Sequence, residues 1–295
     1  MLGGKTMKFR KIFVAAAAAV MTFSAAGCGG GGSVMETAAV EELLTLSQET
    51  MATVESMAAE ITMEMDMAMG EEAIETTTVA NILTKQDPMQ MQMDMYVVME
   101  DGSEAQQMMM YAEEAEGKLR TYMYSADTWY AQTMEIGDLG QYDAEASMEL
   151  YLNNIESFTA TAEEDINGTK TTRIEGIIAR DAMEEAIQNS GVADSAASLG
   201  VTEEQMQEMY ADMGDLPIVL WIDAEGYVLK YEMDMTEMMQ KIMDTAMGAV
   251  GETETEPSVS ITKTSISMIC SDFNNVEEIV IPAEAKSASF LTTEE

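Results

Sequence analysis

The sequence predicts an antiparallel α+β domain, and three observations carry that expectation. An amphipathic helical stretch comes first, with Leu43, Leu44, Met51, Val54 and Met57 at helical spacing and acids between them. A series of long segments follows in which apolar and polar residues alternate with period 2 between turn residues. Later helical stretches come in groups rather than one per strand, which argues against parallel crossovers and for helices segregated to one side of a sheet.

The helix is expected over Val40–Ala59. The pattern then changes period: Ile61, Met63, Met65, Met67 and Met69 alternate with Thr62, Glu64, Asp66 and Ala68, as in a half-buried strand, and Gly70-Glu71-Glu72 turns the chain. Ala73–Lys85 is a Thr- and Val-rich strand ending at Asp87-Pro88, where proline removes a ladder donor. In the next strand Met89, Met91, Met93, Met95, Val97 and Met99 share one face and Gln90, Gln92, Asp94, Tyr96, Val98 and Glu100 the other. Asp101-Gly102 closes it as a hairpin. Strands at Ala105–Ala112, Lys118–Ser125 and Thr128–Met134 continue an antiparallel meander.

Helical pattern returns at Tyr142–Ile155, and Thr169–Ala179 is a strand after the Asn167-Gly168 turn. Asp181–Asn189 and Thr202–Met213 are helix candidates, the second opening on the capping-box order Thr202-Glu203-Glu204-Gln205. Pro217–Asp223 and Tyr227–Thr236 form a hairpin across Ala224-Glu225-Gly226, with Tyr227, Leu229, Tyr231, Met233 and Met235 on one face. A helical stretch near Glu237–Ala249, an acidic loop, a strand over Val259–Cys270 and the short apolar segment 277–286 complete the order.

Ahead of the domain, Lys8–Ser33 has a basic start, a short apolar run and small residues leading into Cys28, the pattern of a secretory signal. The apolar stretch Ile12–Ala26 is about fifteen residues, short of the roughly 20 that span a bilayer core as a helix. Ala25-Ala26-Gly27-Cys28 resembles the lipobox of bacterial lipoproteins, which implies a diacylglyceryl thioether on Cys28 as the mature N-terminus. The expected organisation is a signal over 1–27, a lipidated cysteine and glycine-rich tether over 28–34, a domain over 35–286 and a polar tail over 287–295. Such a chain is held on the extracellular face of the cell membrane.

Charge and composition narrow the function. The chain has 14 bases, 54 acids and a formal net charge of −40, a surface ill suited to nucleic acid or anionic head groups. With no histidine it lacks the commonest general base and the commonest zinc ligand, so a non-enzymatic role without cofactor is expected. Carboxylate-pair hydrolysis needs only Asp and Glu and is not excluded by composition. No Asp-x-Asp-type calcium loop is present. With Cys28 lipidated, Cys270 is left without a disulfide partner, and its strand-like context marks it as a small packed residue.

Thirty-two methionines stand largely where Leu, Val and Ile would be expected, many on single strand faces. They either fill a core or line a cavity, because methionine is flexible and polarizable enough for both. Thioethers also select copper(I), but Met-x-Met sulfurs on one strand start about 6.6–6.8 Å apart and must converge across strands, so no metal is expected.

The lipobox, the early helix, the meander and the hairpin Trp221-Ile222-Asp223…Gly226-Tyr227…Leu229-Lys230-Tyr231-Glu232-Met233-Asp234-Met235 together resemble the LolA-like superfamily of bacterial lipoproteins. That superfamily takes in the mycobacterial LppX and LprG type and many Gram-positive surface lipoproteins. The resemblance implies a strongly curved half-barrel with helices over its concave face, enclosing a pocket for a lipid or other apolar ligand. On that reading the lining is Met65, Met67, Met91, Met93, Met95, Trp221, Tyr231 and Met233. The alternative is an envelope sensor or interaction lipoprotein with a filled core that binds another protein.

Overall fold

The computed structural model describes residues 37–70, 72–99, 101–134, 152–178, 202, 216–250 and 259–288. They form helix α1 (Thr37–Met51), strands β1 (Ser56–Met69), β2 (Glu72–Gln86), β3 (Met89–Val98), β4 (Glu104–Ala115), β5 (Lys118–Ser125), β6 (Thr128–Met134), β7 (Ile155–Ile166), β8 (Thr169–Ile178), β9 (Leu216–Asp223) and β10 (Val228–Asp234), helix α2 (Thr236–Val250), strand β11 (Val259–Ser271) and the short helix α3 (Ala283–Lys286). The 11 strands make one sheet in the order β6-β5-β4-β3-β2-β1-β11-β10-β9-β8-β7. Every neighbouring pair is antiparallel. Two meanders, β1–β6 and β7–β10, are joined by the late strand β11, which fits between β1 and β10.

Laid flat, such a sheet would be about 48 Å wide, ten spacings of about 4.8 Å. One apolar cluster nevertheless takes in Leu119 on β5, Met93 on β3, Met268 on β11, Leu220 on β9 and Ala160 on β7, together with Val40, Leu44 and Met51 of α1. Helix α1 packs against β7 and the β9–β10 turn and shares this one cluster with side chains from β3, β5, β9 and β11. This is a strongly curved half-barrel with α1 and α2 on its concave face.

Positive-φ residues fall where the turns were expected: Gly70, Gly102, Asn167, Gly168 and Gly226. Asp101 fixes the β3–β4 turn by accepting from Ser103 N (2.9 Å) and Ser103 Oγ (2.6 Å). The β9–β10 turn is pinned from two sides. Asp223 Oδ1 accepts from Glu225 N (3.0 Å) and Tyr227 N (2.8 Å), and Thr50 Oγ1 donates to Glu225 O at 2.9 Å. At Gly226 (φ +92°) a Cβ would lie 2.9 Å from Leu46 O, so glycine lets the end of α1 close onto this hairpin.

Several expectations change. The first helix ends at Met51, and Val54 and Met57 lie beyond it. Met57 and Ala59 fit a 3.6-residue period, but they also continue the period-2 series of Ile61 and Met63, and β1 pairs with β2 from Ser56 onward. Strand β7 was not anticipated, since its apolar alternation is weak and two bulges interrupt its pairing with β8. In β10 a register shift between Val228 and Lys230 places Val228, rather than Leu229, in the core. The helix candidates Tyr142–Ile155 (except its end) and Asp181–Asn189 lie outside the described residues. So do Cys28 with its leader and tether, and Thr202–Met213 beyond its first residue.

The segment after β11 is a strap. Glu55 N donates to Asn274 Oδ1 at 2.6 Å and Asn274 N to Ser56 O at 2.7 Å. The chain then lays Ile279, Ile281 and Ala285 on Tyr111, Tyr122 and Ala131, a second apolar cluster on the convex face of β4–β6. Lys286 closes it with an ion pair to Glu113 (3.4 Å), which also accepts from Tyr122 Oη (2.9 Å). Burial, reinforced by Glu113, pushes the Tyr122 phenol above its ordinary pKa.

Candidate functional site

Cross-strand register places side chains from different strands on one surface. Along the concave face one row runs Cys270, Ala59, Ile82, Met93, Met110, Met123 from β11 to β5. The next runs Leu220, Tyr231, Met268, Ile61, Ala80, Met95, Met108 from β9 to β4. Below it come Ile218, Met233, Ile266, Met63, Thr78 and Val97, and then Thr264, Met65 and Thr76. The register carries no charged side chain in any of these rows, in a chain with 54 acids.

Exposure divides this face. In the core cluster that includes α1, Met57, Met91 and Met268 are fully buried and Met93 is 2% exposed. Under β8–β10 the face is built of Ile174, Ile178, Leu216, Ile218, Leu220, Ile222 and Val228, all buried. Toward the far ends of β1–β3 it opens: Met63 and Ile74 are each 40% exposed, and Met65, Met67, Thr76, Thr78, Met95, Val97 and Met108 are half-buried. Met233 shares a row with Met63, two strands away, and is 4% exposed.

Helix α2 accounts for that contrast. It starts where β10 ends and caps the edge of β11 that β10 no longer pairs: Thr264 N donates to Thr236 Oγ1 (2.9 Å) and Ile261 N to Gln240 Oε1 (2.5 Å). Met238 is buried in the core and Met239 and Ile242 pack against it, so β10 and β11 are roofed. On the floor between them the Thr264 hydroxyl, cross-strand from Met65, is buried without a hydrogen-bond partner, as is that of Thr121 on β5. Each unmet hydroxyl costs roughly 1–3 kcal/mol unless a water or ligand supplies a partner.

The eight residues expected to line one pocket separate into three groups. Met65, Met67 and Met95 lie on the open part of the face. Met91, Met93, Tyr231 and Met233 lie on the same face but in its closed, filled part. Trp221 is a correction, because it points to the opposite side of the sheet. Its strand neighbours Leu220 and Ile222 face the core, so strict alternation turns Trp221 outward. There its indole N–H donates to Glu164 Oε2 at 2.7 Å, with the Arg173 guanidinium 5.5 Å and the Lys230 ammonium 4.7 Å from the ring. Trp221 is a staple of the convex surface, buried by long cationic side chains.

Met63, Thr76, Thr78 and Met108 belong to the open face and were not among the expected lining residues. Met63 was accessible from its own alternation, whereas the others are placed by pairing between strands. The methionines also meet across strands, Met93 opposite Met110 and Met95 opposite Met108. Among the described residues no cluster of carboxylates or cysteine is arranged to hold a metal ion. A groove of about 450 Å³ along the solvent side of α1 is lined by Ala38, Glu41, Glu42, Thr45, Leu46 and Glu49. Its three carboxylates suit no apolar cargo, and it lies on exposed helix residues rather than on the methionine face. Cys270 is buried on that face, and desolvation pushes its thiol up to about 12, leaving a packed and unreactive group.

The molecule is thus a half-barrel whose concave face carries, among the described residues, rows of uncharged side chains, filled at one end and open at the other. The model of a family of unknown function, DUF6612, matches residues 39–290, and the chain belongs to that family. No curated protein matches it. The expected likeness to LppX-type and LolA-like proteins is present among solved structures. The lipoprotein LppX of Mycobacterium tuberculosis is similar at 11% identity and a TM-score of 0.46, over 83% of this chain and 100% of that one. LprF of Mycobacterium bovis is similar at 11% identity and a TM-score of 0.45, over 84% and 98%. A LolA superfamily protein of Nitrosomonas europaea is similar at 8% identity and a TM-score of 0.24, over 81% and 94%.

Proposed function

We propose that this chain is a lipid-anchored lipoprotein of the outer face of the cell membrane, fastened through Cys28, and that it holds a lipid or other apolar ligand on the open methionine face. One observation carries the reading: nine neighbouring side chains from four strands, Met63, Met65, Met67, Ile74, Thr76, Thr78, Met95, Val97 and Met108, form an uncharged and incompletely covered surface in a molecule of net charge −40. Apolar area left in water costs roughly 25 cal/mol per Å², and a ligand that covers it recovers that free energy. Methionine suits cargo of variable shape. Among the described residues the nine side chains of this face are apolar or threonine, a composition suited to holding an apolar ligand.

Native mass spectrometry of the Cys28→Ser chain, before and after solvent extraction, tests this. Co-purifying or re-added lipid bound at unit stoichiometry is the expected result. An empty protein that takes up no lipid would contradict it and favour the second reading, in which the same open face docks an apolar segment of another envelope protein. Release of the Cys28→Ser protein from membrane to medium checks the anchor.

A further inference from the structure

We propose that the open-face methionines are a peroxide-reactive modification site, and that their oxidation to the sulfoxide switches off apolar binding. The second half rests on the function proposed above; the first does not. The sulfurs of this face fall into two environments set by the fold. Met63 is 40% exposed and Met65, Met67, Met95 and Met108 are half-buried; Met99, in the turn after β3, is 50% exposed and serves as a solvent-exposed reference. Met57, Met91, Met93, Met110 and Met268 are at most 2% exposed. An oxidant in solution reaches the first group and not the second. Cys270, which would otherwise compete, is buried, and its thiol is held neutral far above neutral pH.

The reaction balances with hydrogen peroxide alone. A thioether lone pair attacks one peroxide oxygen, the O–O bond breaks and an S–O bond forms. The proton on the transferred oxygen passes to the departing hydroxide, which leaves as water, so sulfur is oxidised by two electrons and peroxide reduced by two. Each event places a polar sulfoxide among the apolar side chains and threonine hydroxyls that surround these methionines. Since the closed half supplies the core, oxidation of the open half removes ligand affinity without unfolding the domain. Methionine sulfoxide reductases reverse it.

The experiment uses the full chain, solvent-extracted, exposed to hydrogen peroxide and mapped by peptide mass spectrometry, with Nile red as the neutral apolar probe. Oxidation of Met63, Met65, Met67, Met95 and Met108 at least tenfold faster than that of Met57, Met91, Met93, Met110 and Met268 is expected. Nile red affinity should fall at least tenfold in step with it, with circular dichroism unchanged, and recover on treatment with both reductase classes. A Met63→Leu/Met65→Leu/Met95→Leu variant, or Met63→Leu alone should the triple variant fold poorly, should resist the loss. Uniform oxidation of the two groups would overturn the site. Full oxidation of the open group with unchanged affinity, or equal loss in the leucine variants, would overturn the switch. An untreated protein that binds no Nile red contradicts the binding function and with it the switch, while the oxidation map still decides the site.

Discussion

Two stretches of one concave face, in the same sheet and partly in the same register rows, are built from different residues. Under β8–β10 the side chains are Ile174, Ile218, Leu220, Ile222 and Val228, branched, stiff and buried. On β1, β3 and β4 they are Met63, Met65, Met67, Met95 and Met108, unbranched and exposed to varying degrees. Branched aliphatics have few rotamers and specify one packing; methionine has three rotatable side-chain bonds and accepts many. The aliphatic wing together with α1 is therefore the part that folds the molecule, and the methionine wing is the part left free to meet something else.

The largest expected effect breaks the contrast at its firm end. Leu220→Ala empties a fully buried site and should cost about 2–5 kcal/mol, whereas Met65→Ala on the half-exposed face should cost no more than about 1 kcal/mol while weakening apolar probe binding. Chemical denaturation of the two variants checks the ordering, and equal losses would mean that the methionine wing is core after all. Gly226→Ala comes next. It forces a side chain into a left-handed conformation and against Leu46 O, with a cost of roughly 1–3 kcal/mol and loosening of α1, which hydrogen exchange in Leu44–Met51 would register. Trp221→Leu removes the indole hydrogen bond to Glu164 and the ring between two cations, and is expected to cost about 1–2 kcal/mol. Because Trp221 faces away from the methionines, probe affinity should not change, and a change would move the binding surface to the convex side. The smallest effect is kinetic: native Cys270, with its thiol raised to about 12 by burial, should resist iodoacetamide at pH 8 and react only in denaturant.

Much of the fold was legible because local chemistry and global structure agree. The alternation of Met89–Val97 survives intact as β3, and the Asp101-Gly102 and Asn167-Gly168 turns fall where residues that tolerate positive φ stand. Failures came where two periods fit the same residues or where none fits well. Met57 satisfies both helix and strand spacing, and only its pairing with Thr84 on β2 settles the matter. Strand β7 carries Glu163, Glu164 and Asp165 beside small residues and two bulges, so no apolar stripe announces it. The candidate site was half legible. Single-strand alternation finds Met65, Met67 and Met95, but neither the open boundary between Met63 and Met233 nor the orphan hydroxyl of Thr264 can be read along one strand. Both depend on which strands pair and on where α2 lies. Trp221 was misplaced although the alternation of Leu216, Ile218, Leu220 and Ile222 already turned it outward.

The division of the face into a filled and a receptive wing is tested most directly by methyl NMR of protein carrying ¹³C-methyl methionine, recorded with and without an added neutral lipid. Shifts confined to Met63, Met65, Met67, Met95 and Met108, with Met57, Met91, Met93 and Met268 unmoved, are the expected result. Shifts centred on the second set, or none at saturating lipid, would contradict it.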